Sequence, residues 1–200
     1  MRSADFPTVP RPLGPLAVVV ACALSALGAG TAGAATGVAS LLAPSGACGP
    51  AADRVGLDLV HAEKAMLCLT NYARRRSGLR PLTLSRRLER VAQAKLATDI
   101  ACNEFSHTPC NVSFVKTFAP YLADAGAYDI GENIFWSSDG YGTPRQTMIA
   151  WLNSPDHRAN ILNPAFRDLG VGYLPGQAFQ GSTGATLWSQ EFGVRSTTAT

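Results

Sequence analysis

From Pro12 to Ala52 the chain runs 41 residues without an Asp, Glu, Lys or Arg. Arg2 and Arg11 precede this run, and Leu16 to Leu27 forms its apolar centre. Small residues follow, and Ala32-Gly33-Ala34 fits an A-x-A cleavage site. A basic start, a short greasy middle and a small-residue exit describe a secretory signal peptide over residues 1–34. A membrane anchor is the weaker reading, because a helical span needs about 20 apolar residues. Val19-Val20-Ala21-Cys22 loosely resembles a lipoprotein cleavage box, but the apolar run continues well past Cys22.

Export sets the chemistry of the cysteines. Cleavage after Ala34 removes Cys22 and leaves Cys48, Cys68, Cys102 and Cys110. An even count in an exported chain implies two disulfides, and four cysteines allow three pairings. Cys102 and Cys110 bracket the short segment NEFSHTP and are expected to pair, leaving Cys48 with Cys68. Loop-closure entropy makes the short bridge worth roughly 2–3 kcal/mol. No CxxC pair exists, so a cysteine zinc site is a poor reading.

Removing the leader takes away Arg2, Arg11 and Asp5, so 17 basic and 14 acidic residues become 15 and 13, a net charge of +2. That balance makes no case for nucleic acid as a partner. An apolar fraction of 46% excludes wholesale disorder, and 200 residues allow one ordinary domain. The expected organisation is a flexible linker over 35–54, a folded domain over 55–195 and a tail over 196–200. The mature protein is expected to be a secreted monomer, extracellular or cell-wall associated, without a transmembrane span.

Leu59, Ala62, Met66, Leu69 and Ala73 make one helical stripe, closed by Arg74, Arg75, Arg76 and Gly78. The arginines read as complements to the helix dipole rather than as a binding patch. Ser85 is a reasonable N-cap for a second stripe, Val91, Ala94, Thr98, Ala101 and Phe105, which ends at FSHTP. A weaker helical pattern covers Phe114 to Ala123, and Ile130 to Trp136 reads as a strand. Thr143-Pro144-Arg145-Gln146 is a capping box opening a helix through Met148, Trp151 and Leu152. Ser154-Pro155 restarts the chain into a short turn. Asp168–Leu174 and Ala185–Val194 read as closing strands joined by a Gly-rich hairpin. Helices mostly first and antiparallel strands mostly last give an α+β fold class.

The mature chain holds His61, His107 and His157. His61, beside Glu63 in the first helix, reads as a surface or satisfied core residue. His107 lies in the loop closed by the cysteines, and His157 follows a Pro-initiated turn. Each is fixed by its surroundings, as a preorganised site requires. Glu132 stands between Gly131 and Asn133 at a strand start. No nucleophile elbow, HExxH, Walker loop or dinucleotide fingerprint is present. Trp136, Trp151 and Trp188 read as packing between sheet and helices. Asn160 reads as tying down its own turn, and Asn111-Val112-Ser113 is formally a glycosylation sequon.

FSHTP, GENI, WLNSPDHRANILNPAFRDLGVGY and WSQEFG, in that order, resemble the CAP superfamily, and within it the bacterial SCP-like extracellular branch. That superfamily joins cysteine-rich secretory proteins, antigen 5 and plant pathogenesis-related proteins. The resemblance covers about residues 58–194. It implies a three-layer α–β–α sandwich with a small antiparallel sheet and a cleft lined by two His and two Glu. Carried over singly, His107, Glu132 and His157 match three of these positions. The fourth falls near Ser154, where this chain has no carboxylate; Asp156 is adjacent, and Glu191 is a candidate from the last strand. Such a cleft admits three readings. His107 and His157 could bind zinc or another divalent cation, Glu132 could serve a metal-dependent hydrolase or peptidase, or Glu132 could lock the two His. The leading expectation is a non-enzymatic extracellular module binding a small, lipid or peptide ligand, since similar proteins in the superfamily bind lipids. The alternatives are that hydrolase and a wall-associated structural or signalling module.

Overall fold

The computed structural model describes residues 37–138 and 140–197. The leader, with Cys22, and the last three residues of the tail lie outside the described residues.

The segment read as a flexible linker is packed instead. A short helix, α1 (Val38–Leu41), leads to a 3-10 turn at Pro50–Asp53. Leu41, Ala43 and Ala52 are buried in the main core. Arg145 clips this segment down by donating to the Ala43 carbonyl and the Asp53 carboxylate. Its small residues, which read as loose in sequence, allow the close approach.

Helix α2 (Leu59–Arg76) starts on Asp58, whose side chain accepts from the His61 N–H at 2.9 Å. Ala62, Met66, Leu69 and Ala73 of its stripe are buried, as expected, while Leu59 at its start is half-buried. Arg74 departs from the dipole reading. It is buried, and its guanidinium donates to the carbonyls of Arg80, Ile161 and Asn163 at 2.8–2.9 Å.

Strand β1 (Thr83–Leu84) precedes helix α3 (Arg86–Cys102), which is capped by Ser85 and ends at Asn103 in the left-handed region. The buried face of α3 is not the expected stripe. Ala94 and Ala101 are exposed, and Leu88, Val91, Ala92, Lys95, Leu96 and Asp99 face inward. Alanine loses little by facing water, whereas Lys95 and Asp99 bury each other's charge.

Short helices α4 (Phe114–Thr117) and α5 (Ala119–Leu122) precede strand β2 (Ala125–Ser137). Helices α6 (Pro144–Asn153) and α7 (Pro155–Ile161) lead into strands β3 (Asp168–Phe179) and β4 (Ser182–Thr197). The capping box on α6 is present as expected. All three long strands outrun their expected limits, and most of the Gly-rich hairpin is strand. Its turn is Gln180-Gly181, with φ of +50° and +82°, the conformation a two-residue hairpin demands.

The sheet order is β1-β3-β4-β2. The three long strands are antiparallel, but β1 pairs parallel with β3, so the sheet is mixed rather than purely antiparallel. One face of β3 presents Gly170 and Gly172 to α3. A Cβ on Gly170 would lie 2.1 Å from the Leu88 carbonyl carbon, so the helix rests on bare backbone. The opposite face carries Leu169, Val171 and Tyr173, packed with Met66, Leu69, Trp151 and Ile161. The sheet is therefore sandwiched between α3 and the α2/α6/α7 layer, an α+β three-layer arrangement. Trp151 and Trp188 are buried with their indole N–H groups donating to Ile134 and Gly142, while Trp136 meets Phe179 edge-on.

Candidate functional site

The site grows from one row of the sheet. Gly170, Glu191 and Glu132 lie side by side on β3, β4 and β2, all on the face covered by α3. Because position 170 is a glycine, α3 comes close, and Lys95 and Asp99 descend onto this row. Lys95 Nζ donates to both Asp99 oxygens and to the Ser106 carbonyl, each at 2.7 Å. That last bond and the Cys102–Cys110 disulfide hold the loop that carries His107.

His107 Nδ1 donates to Glu132 Oε1 in this buried layer. The neighbouring Asn133 points to the other face, where its Nδ2 donates to the His157 carbonyl at 3.1 Å and to Gln190 Oε1 at 3.2 Å. One strand thus places both histidines, Glu132 by its side chain and Asn133 through the backbone of α7. Gly131 is needed for this, since a Cβ there would sit 2.9 Å from the Phe166 ring. Asn160 does more than tie its own turn. It donates to the Glu132 carbonyl and to Asn133 Oδ1, both at 3.0 Å, fastening α7 to β2.

His107 and His157 are each 6% exposed, Glu132 2% and Glu191 0%. All four side chains are therefore buried, with His107 bonded to Glu132 and Glu191 paired opposite Glu132. Burial, reinforced by neighbouring His107, pulls the His157 imidazole down to about 4, with Asp156 and Glu132 opposing. Burial pushes Asp99 up to about 7 against the pull of Lys95. Burial also pushes Glu191 well above the ordinary carboxylate range, and the Glu132 charge adds to the effect. Ser189 donates to Glu191 and is itself buried.

His107 and Glu132 are thus bonded, and His157 lies close enough to both for their charges to act on it. Asp156 is exposed at the start of α7, whereas Glu191 enters the layer from β4. His61 stays outside, exposed and paired with Asp58. Sequence reasoning missed Lys95, Asp99 and Ser189. The i, i+4 spacing of Lys95 and Asp99 was the available signal. As for a metal, zinc centres take three or four protein donors. Among the described residues no group of three His, Cys, Asp or Glu side chains is placed to hold an ion. His107 and His157 alone supply two imidazole donors, and the His107 Nδ1 bond to Glu132 is the outer-shell contact that orients an imidazole. A surface hollow of about 540 Å³ lies among Ser113, Val115, Lys116, Ala119, Leu122, Ala123 and Tyr128, and no residue of the His/Glu cluster lines it.

Comparison with known proteins gives three findings. Residues 67–192 match the CAP profile, described as the Cysteine-rich secretory protein family. Over 134 residues, 65% of this chain, the sequence is 36% identical to the uncharacterized protein YkwD of Bacillus subtilis (strain 168). The matched region is 46% of that relative, so the chain spans less than half its length. The fold resembles an outer surface protein from Borrelia burgdorferi, with a TM-score of 0.58 and 18% identity, covering 72% of this chain and 99% of that one.

Proposed function

The chain belongs to the cysteine-rich secretory protein (CAP) family, and from that premise we propose that it is a non-enzymatic extracellular module that binds a ligand at the His107–His157 rim. One observation carries the reading: the carboxylate that could serve as a base and the nearby hydroxyl are each bonded within the buried layer. Glu132 is engaged by His107, and the Ser189 hydroxyl is engaged by Glu191 and sealed from solvent. A hydrolytic site needs an activated nucleophile or a metal-bound water within reach of substrate. A recognition surface needs only rigid, preplaced groups at its edge, which the two imidazoles supply. The two disulfides suit an oxidising compartment and support a location outside the cytoplasm.

Lipid is the ligand class carried forward. The lipid would sit apart from the rim, in the apolar hollow where Val115, Ala119, Leu122 and Tyr128 lie beside the cationic Lys116, a lining that suits an acyl chain with an anionic head. The test is flotation of the protein with phosphatidylglycerol vesicles, against phosphatidylcholine vesicles, together with a fluorogenic peptide pool. Saturable retention on the anionic vesicles and no peptide cleavage is expected. Cleavage abolished by Glu132→Gln would overturn the non-enzymatic reading, and absence of retention on either vesicle would overturn the lipid assignment.

A further inference from the structure

Glu132 and Glu191 face each other across β2 and β4. Glu132 uses one oxygen for His107, and Glu191 uses one for Ser189. The remaining oxygens, Glu132 Oε2 and Glu191 Oε2, are buried and receive no donor among the described residues. The strand register pairs Glu132 directly with Glu191, which sets their side chains next to each other on one face of the sheet. Two ionised carboxylates offer only acceptors, so they cannot bond each other. One proton between them satisfies both oxygens at once.

The charge balance points the same way. Among the described residues, Asp99, Glu132 and Glu191 share the layer with a single ammonium, Lys95, and Lys95 is taken by Asp99. A second and third bare carboxylate at this depth would carry a desolvation cost of several kcal/mol each. Glu191 is the deeper of the remaining two, and it is Glu132 that has the His107 imidazole as its partner.

We infer that Glu191 is the second carboxyl of this site, held as the neutral acid, donating its O–H to Glu132 and so orienting Glu132 against His107. It is a positioning residue supplied by a strand in a chain whose helix has Ser154 where the resemblance led one to expect a carboxylate. Burial, which favours the uncharged form, supports the assignment. The hydrogen bond needs no occupant at the rim, so it stands apart from the ligand reading.

Infrared spectroscopy of the full-length protein tests it. Above about pH 9 ordinary carboxyls, and also Asp99 and Glu63, which are raised to about 7, are ionised. A carboxylic-acid C=O band persisting there in the wild type and lost in Glu191→Gln is the expected result. No such band, or a band that survives Glu191→Gln, would overturn the inference. Thermal melts supply the second measurement. Gln can donate to Glu132 and accept from Ser189, so Glu191→Gln should melt close to the wild type. Glu191→Leu leaves both partners unpaired and should melt several degrees lower. Equal melting of the Leu and Gln variants would overturn the positioning role.

Discussion

His157 is held neutral by its burial, and this has a definite sign. Its folded value of about 4 lies below the ordinary 6.5. Its contribution is therefore fully present above the unfolded value and is lost as pH falls from about 6.5 towards 4. The size is about 3 kcal/mol, from the difference between the two values. Asp99 and Glu63, both raised to about 7, act in the opposite sense over the same range. The His157 contribution is thus read as a difference: the stability gap between wild type and His157→Gln should shrink as pH falls through this window, measured by urea unfolding in EDTA buffer. A gap that stays constant would contradict it. Arg74 is a second residue with a measurable role. Arg74→Met strips donors from carbonyls in the Arg80 turn, at the last residue of α7 and just beyond it, and should cost about 3 kcal/mol by urea unfolding.

At the scale of elements, the seat of α3 on the sheet decides whether the polar layer exists. Gly170→Ala forces a methyl into the Leu88 backbone, which cannot swing aside as a side chain would. It should destabilise by at least about 3 kcal/mol in urea unfolding, while Gly184→Ala, with open space around it, should be near neutral. Gly170 standing in DLGVGY was visible in the sequence; what it touches was not. FSHT, GENI and DHRANIL were legible because each packs its chemistry into a few consecutive residues. Lys95 and Asp99 were not, because reading a helix by its apolar stripe assigns charged residues to solvent and alanines to the core. The parallel pairing of β1 was missed because two residues carry no periodicity. Glu191 stayed open because strand register is set by tertiary pairing, and only the Glu132–Glu191 register shows that the two carboxyls meet.

Across the whole molecule, the two disulfides do different work. Cys48–Cys68 closes a separation of 20 residues and ties the packed N-terminal segment to α2. Cys102–Cys110 closes 8 residues around His107. Replacing the first pair by serine should cost about 3 kcal/mol and leave the histidine ring signals unchanged. Replacing the second should cost slightly less, about 2.5 kcal/mol, yet move the His107 signals. Urea unfolding and histidine spectra together check this. The spectra also reach the central claim, that carboxyls on the strands position the imidazoles. The decisive measurement is the ring 15N spectrum of histidine-labelled protein in EDTA buffer at neutral pH. His107 should carry its proton on Nδ1, and that signal should move in Glu132→Gln while His61 stays put. An unprotonated Nδ1, or a His107 signal indifferent to Glu132→Gln, would contradict the claim.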